Sequence, residues 1–253
     1  MNYQFIKNKL RYVKRFLLGA PTRLEGSAPP VELSFILNYL EAEDTAFDVG
    51  ANLGVWSYFL SQSELNLNIV AFEPNPNVVK SLVENTSNIN NISIERCGVG
   101  SVNGKADFHI HPSHGRSSFA YTREYSGCKV MSVPIVTLDS YTQNAKKRDL
   151  PALIKVDVEG LEPEVWEGMQ LLLLGNRPKV MVFELVDRHL RPRGYSVKSL
   201  TKKIVNAGYK CFVYDDDGMV SVNVDEFEFP PEKPKPRKYV NFVFVDITLI
   251  KAT

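Results

Sequence analysis

From residue 45 onward, short and largely apolar runs alternate with segments whose apolar positions recur at helical spacing. The runs at 46–49, 69–72, 92–96, 153–158, 180–185, 209–214 and 240–245 read as strands. Behind Gly54, the residues Trp56, Phe59 and Leu60 form one apolar stripe; behind Asn75 and Pro76, placed as cap and first helical residue, Val79, Leu82 and Val83 form another. Val165, Trp166, Met169, Leu172 and Leu173 share a face over 164–174, and Val197, Leu200 and Ile204 do so between a Ser196 cap and Gly208. A short helix over 32–40 leads in after Pro29 and Pro30. Strands and helices in alternation, with near-continuous apolar strands, predict a doubly wound α/β sheet, mostly parallel and covered on both faces. Two segments break the alternation. Residues 105–137 turn extended around a polar stretch, which predicts an inserted β-hairpin. The proline-rich segment 215–238 forbids a helix, so the last two strands must pair antiparallel.

Composition narrows the class. With 253 residues, 44% apolar and 23% charged, the chain is long enough for one large domain, read as 45–253 behind a lead-in over 1–44. Thirty basic against 29 acidic side chains leave no field to draw a polyanion, which argues against a nucleic-acid substrate. Cys97, Cys128 and Cys211 are odd in number and lack CxxC spacing, so a reducing compartment, the cytoplasm, is expected. No apolar stretch approaches the ~20 residues of a membrane span. Residues 1–24 are basic, with Ile6, Leu10, Val13 and Leu17 at helical spacing; they form either an amphipathic helix on an anionic membrane surface or a helix packed on its own domain. Oligomeric state is not legible.

Candidate chemistry lies where open α/β sheets bind ligands, beyond the carboxyl ends of strands. The first candidate is FDVGANLG, residues 47–54, where Gly50 and Gly54 permit a sharp turn and close backbone approach, with Ala51 and Asn52 between them. This is GxxxG, not the GxGxxG of a dinucleotide site. Asp48 beside it disfavours a pyrophosphate and suits the ammonium of S-adenosylmethionine. In IVAFEPNP, Glu73 ends the second strand ahead of Pro74 and can accept from both ribose hydroxyls. NAD(P) uses the same kind of acid, so an oxidoreductase stays open on this residue alone. The third candidate is IKVDVEGLEPEVWEG, residues 154–168, whose Asp157 and Glu159 fall on one side of a strand end; two acids there are costly unless paired, which marks a site. Glu184 and Asp187 follow the next strand toward the same crevice. Glu162 and Glu164 read as helix caps or lysine partners.

FDVGANLG, AFEPNP, VTLDSY (136–141), IKVDVEGLEPEVWEG and NFVFV (241–245) together resemble the FkbM-type methyltransferase family, in order over most of the chain. The resemblance implies a class I methyltransferase sheet of seven strands, S-adenosylmethionine as donor, and transfer to a hydroxyl on a sugar, a lipid-linked glycan or a natural product. It maps Asp48, Gly50, Asn52, Gly54 and Glu73 onto the donor motifs, and Asp157 and Glu159 onto the acidic motif on the acceptor side. Asp157 and Glu159 rank first as bases for an acceptor hydroxyl and His189 second. A magnesium ion on the two acids is the competing idea. Arg116, Ser117, Ser118 and Tyr121 in the inserted segment are the candidate acceptor contacts. His109, His111 and His114 invite a metal reading, yet lack an evident fourth ligand. A binding module that kept the fold without activity is the non-enzymatic alternative.

Overall fold

The computed structural model describes residues 24, 27–111, 117, 119, 128–215, 218–227 and 241–250. The amphipathic segment 1–24, apart from its last residue, and Arg116, Ser118, Tyr121 and His114 lie outside them.

Eleven strands are present among the described residues: β1 Thr45–Val49, β2 Asn68–Phe72, β3 Ile92–Glu95, β4 Gly98–Val99, β5 Gly104–Ile110, β6 Lys129–Val136, β7 Pro151–Val156, β8 Val180–Glu184, β9 Tyr209–Asp215, β10 Gly218–Ser221 and β11 Asn241–Asp246. The helices are α1 Leu33–Ile36, α2 Val55–Ser61, α3 Pro76–Thr86, α4 Leu138–Thr142, α5 Glu162–Glu167, α6 Gln170–Gly175, α7 Asp187–Leu190 and α8 Val197–Asn206. The main sheet runs β10-β9-β11-β8-β7-β1-β2-β3. β1, β2, β3, β7 and β8 are parallel, while β11 lies between β8 and β9 and is antiparallel to both. The mostly parallel, doubly wound sheet with an antiparallel last strand is therefore as the pattern implied.

Two details differ from the expectation. The sheet has eight strands instead of seven, because β10 pairs antiparallel with β9 from Gly218↔Asp215 to Ser221↔Phe212, inside a segment read as loop. The prolines that forbid a helix there begin only at Pro230, beyond the hairpin. The helix expected over 164–174 is two short ones, α5 and α6. Gly168 between them crosses the chain at Gly100 so closely that a Cβ would stand 2.0 Å from the Gly100 carbonyl oxygen. Val165, Trp166, Met169, Leu172 and Leu173 are all buried despite the break.

Alternation along the strands supplies a core on each face. Phe47, Phe72, Ile154, Val156, Phe183, Phe242 and Phe244 pack with Trp166, Met169 and Leu200 on one side. Ala46, Ile69, Leu153, Val182 and Val243 pack with Leu33, Ile36 and Leu60 on the other, so α1 covers this second face. Each fully buried Leu, Ile or Phe contributes roughly 1.5–3 kcal/mol. The inserted hairpin is β5 and β6, antiparallel from Gly104↔Ile135 to Ile110↔Lys129, with β4 added parallel to β6 as a separate three-stranded sheet.

The register decides where chemistry collects. Val49 pairs with Phe72 on one side and Val156 on the other, and Val156 pairs with Phe183. The next residues along these strands, Gly50, Glu73, Asp157 and Glu184, are thereby brought into line at one edge of the sheet.

Candidate active site

The turn after β1 is built by its glycines. Gly50, Asn52 and Gly54 all hold positive φ, at 78°, 51° and 89°. A Cβ on Gly50 would stand 1.8 Å from the backbone oxygen of Asp157, so only glycine lets this turn rest on the end of β7. The Gly50 and Ala51 amides both donate to the Phe72 carbonyl, at 3.0 and 2.9 Å. Gly54 then caps α2.

Asp48 lies beneath this turn, fully buried. Its Oδ2 accepts from the Ser57 amide (3.0 Å) and hydroxyl (2.7 Å), tying β1 to the first turn of α2. Its Oδ1 faces the Lys155 ammonium at 3.3 Å. The charge expected to greet the donor's ammonium is thus met inside the protein, and Asp48 acts on the site by fixing the loop above it.

Glu73 is buried at the end of β2 and bridges two loops, Oε2 accepting from the Asn52 amide and Oε1 from the Asn75 amide, both at 2.8 Å. Burial pushes its carboxyl up to about 7 even though both backbone bonds oppose the shift. Each oxygen keeps acceptor capacity for a sugar hydroxyl. The Asn52 side-chain oxygen is buried with no hydrogen-bond partner among the described residues, which suits a ligand's donor group. Positive-φ backbone, a two-oxygen acid and an unmet amide acceptor fit the ribose and ammonium of S-adenosylmethionine. Pro74, half-buried, leads to Asn75, whose side-chain Nδ2 donates to Ser117 Oγ at 3.3 Å; the same hydroxyl accepts from the His111 backbone amide at 3.0 Å. Ser117 therefore sits beside the donor loops.

The acids gather on the other flank. Asp157, Glu159 and Glu184 lie close enough for their charges to act on one another. Burial, then the charges of Asp157 and Glu159, push Glu184 up to about 8, and it shares a hydrogen bond with Asp157. Glu159 holds an uncommon φ of 54°. Its Oε2 lies 3.3 Å from His189 Nδ1, and His189 Nε2 accepts from Arg188 Nε at 2.9 Å. The motif residues and the helix residue are thus brought together. Glu162 belongs instead to the turn, accepting from the Val158 amide at 3.1 Å and from the Gly160 amide; burial pushes it up to about 7. Glu164 pairs with Arg193. Asp187 is diverted from the crevice, accepting from the Val197 amide at 2.7 Å at the start of α8 and pairing with Arg191. Among the described residues no group of three or more His, Cys, Asp or Glu is placed to hold a metal ion, His109 and His111 included.

Sequence reasoning passed over two contributors. Lys155, buried in β7, faces Asp48, donates to the Gly50 carbonyl at 3.0 Å and lies 3.5 Å from Asp157 Oδ2. A lysine inside an apolar strand was the available signal. Tyr141 packs edge-on against Phe47 and Phe72 and donates to Glu95 Oε1 at 2.9 Å, bracing the end of β3 next to Glu73.

The methyltransferase FkbM domain model matches residues 48–211. The hexuronic acid methyltransferase AglP of Haloferax volcanii is 29% identical over 176 residues, covering 69% of this chain and 67% of that protein. Methyltransferase 1 of Beauveria bassiana is 23% identical over 141 residues, covering 48% of this chain and 57% of that one. Among solved structures, a TehB-like SAM-dependent methyltransferase from Corynebacterium glutamicum aligns over 97% of this chain and 100% of its own, with 10% identity and a TM-score of 0.44. M. capricolum TrmK in complex with S-adenosylhomocysteine aligns over 86% and 68%, with 10% identity and a TM-score of 0.42. The domain match spans more than half of the sequence and takes in the glycine turn, Glu73 and the acidic strand end, and the chain belongs to the FkbM-type family of S-adenosylmethionine-dependent methyltransferases.

Proposed function

We propose that this chain transfers a methyl group to an oxygen of a sugar, free or within a glycan or natural product, and that Asp157 takes up the acceptor's proton. The observation that carries the reading is the direct abutment of two faces. The Gly50 turn and Glu73 form one, Asp157, Glu159, Glu184 and His189 form the other, and Gly50 rests against the Asp157 backbone itself. The hexuronic acid named for the Haloferax relative supports a sugar acceptor.

When bound, S-adenosylmethionine supplies a methyl carbon on a sulfonium, open to in-line attack by an oxygen lone pair. Gly50, Ala51 and Gly54 let the backbone approach it, Asn52 offers its unmet oxygen, and Glu73 accepts from the ribose. Asp48 and Ser57 hold this loop in place. On the acceptor side Asp157, about a third exposed, reaches the crevice and accepts the hydroxyl proton as the new C–O bond forms. Glu184, carrying a proton, hydrogen-bonds Asp157 and fixes its orientation. Glu159 and Arg188 hold the His189 ring between them, with Nδ1 toward the acid. Ser117, beside Asn75, is placed for acceptor contact, with Arg116, Ser118 and Tyr121 as its expected companions. The three cysteines are unpaired, which supports a cytoplasmic site of action, and no described helix is long and apolar enough to cross a membrane.

The test uses methyl-labelled S-adenosylmethionine with p-nitrophenyl glycosides of glucuronic acid, galacturonic acid, glucose and galactose, scored by mass spectrometry. Label is expected on a sugar oxygen. Asp157→Asn should bind the donor as the wild type does and lose roughly 10²–10⁴-fold in turnover. Absence of label on every sugar, or full turnover by Asp157→Asn, overturns the respective half of the reading.

A further inference from the structure

The position of Lys155 goes beyond these assignments. It is 5% exposed, next to the last residue of β7, with an apolar residue on each side. A buried lysine tends to lose its proton. Here burial does pull in that direction, but Asp48 and Asp157, with Glu184 behind them, outweigh it and hold the ammonium charged. It faces three parts of the site. Asp48 Oδ1 on β1 is an ion-pair partner at 3.3 Å, the Gly50 carbonyl in the donor turn accepts a hydrogen bond at 3.0 Å, and Asp157 Oδ2 on the acceptor side is an ion-pair partner at 3.5 Å.

We infer that Lys155 is a positioning residue that couples the donor loop to the proton-accepting acid, holding Asp157 Oδ2 in place while anchoring the carbonyl of Gly50. The inference rests on the reading of Asp157 as the base. The groups that decide the outcome are few. Lys155 faces Asp48 from β1, Asp157 from its own strand, Glu184 from β8 and, at longer range, Glu73 from β2. Asp157 meets Lys155 as its cation and Glu184 and Glu162 as carboxyl groups that interact with it. One buried ammonium thus touches both the turn that carries the donor and the carboxyl that receives the acceptor's proton.

The experiment compares the wild type with Lys155→Met and with Asp48→Asn/Lys155→Met, in which Asp48 is not left as a buried charge without its counterion. S-adenosylmethionine affinity is read by calorimetry, and methyl transfer to the sugar glycosides is read in a single turnover at saturating donor. In either variant that folds, donor affinity should fall because Gly50 loses its anchor, and transfer at saturating donor should fall as well because Asp157 loses its Lys155 contact. Wild-type donor affinity in a folded variant overturns the inference. Lowered affinity with unchanged transfer at saturating donor overturns the coupling to Asp157. Loss of the Asp157 role itself appears separately, as full turnover by Asp157→Asn in protein whose Lys155 is intact.

Discussion

Replacing Gly50 with alanine tests the abutment on which the site is built. Two costs are separable. At φ 78° an added Cβ costs roughly 1–2 kcal/mol in backbone strain. The same atom would stand 1.8 Å from the Asp157 carbonyl oxygen, whereas Cβ contacts under 3.0 Å are essentially never found, so turn and strand end must part by about 1.2 Å. Such overpacking adds about 1–3 kcal/mol. The combined cost lies within the stability of an ordinary domain, so the variant should fold with a lowered melting midpoint. A displacement of about 1 Å at a reacting centre costs on the order of 10²-fold in rate. Gly194 provides the control, with φ 76° and nothing within 4 Å of its added Cβ. Gly194→Ala carries the strain without the collision. Calorimetric binding of S-adenosylmethionine and thermal melts on both variants are the assay. Donor affinity should be lost in Gly50→Ala and kept in Gly194→Ala, with the larger drop in melting midpoint for Gly50→Ala. Wild-type donor affinity in Gly50→Ala would refute the close packing of the turn on β7.

The acids make a prediction about pH. Burial raises Glu73 and Glu162 to about 7 and Glu184 to about 8, from an ordinary value of 4.5. A raised folded value means stability that is complete below the unfolded pKa and lost as pH climbs through the folded one. The melting midpoint should therefore decline between about pH 5 and pH 8, and Glu184→Gln should flatten the upper part of that decline. A midpoint that rises over this window contradicts the burial of these carboxyls. Tyr141→Phe keeps the ring contacts with Phe47 and Phe72 and deletes the bond to Glu95. It should cost about 0.5–1.5 kcal/mol, read by denaturant titration with an unchanged slope.

Much of this fold is legible in the chain because its strands are buried on both faces and its helices are capped by recognisable residues. Asn75 does accept from the Asn77 amide, and Ser196 and Ser199 do form a reciprocal capping box. Features set by contacts distant in sequence are invisible to periodicity. The break between α5 and α6 depends on Gly168 meeting Gly100, and nothing in the apolar stripe records that crossing. The strand β10 is four residues long with only Met219 and Val220 as apolar content, too short to give a signal of its own. Asp187 has the same sequence credentials as Glu184, but it follows a turn whose geometry aims it at the amide of Val197.

The acidic motif shows most clearly where local reading ends. Alternation alone puts Lys155, Asp157 and Glu159 at the same parity, and the cost of burying two acids demands a partner. The partner stands two residues upstream, in plain sight. What local sequence cannot supply is the reason that a lysine is tolerated near the end of a buried, apolar strand. That reason is the neighbouring strand: in the register of β1 against β7, Asp48 lies directly opposite Lys155, and parallel neighbours in register share a face of the sheet. One buried cation is thus compensated by acids from two strands more than a hundred residues apart in the chain. Removing the Lys155 cation leaves Asp48 stranded in a medium where an unpaired ion is costly. The GxxxG turn and the acidic strand end, read as two motifs from the sequence, are one electrostatic unit in the folded protein.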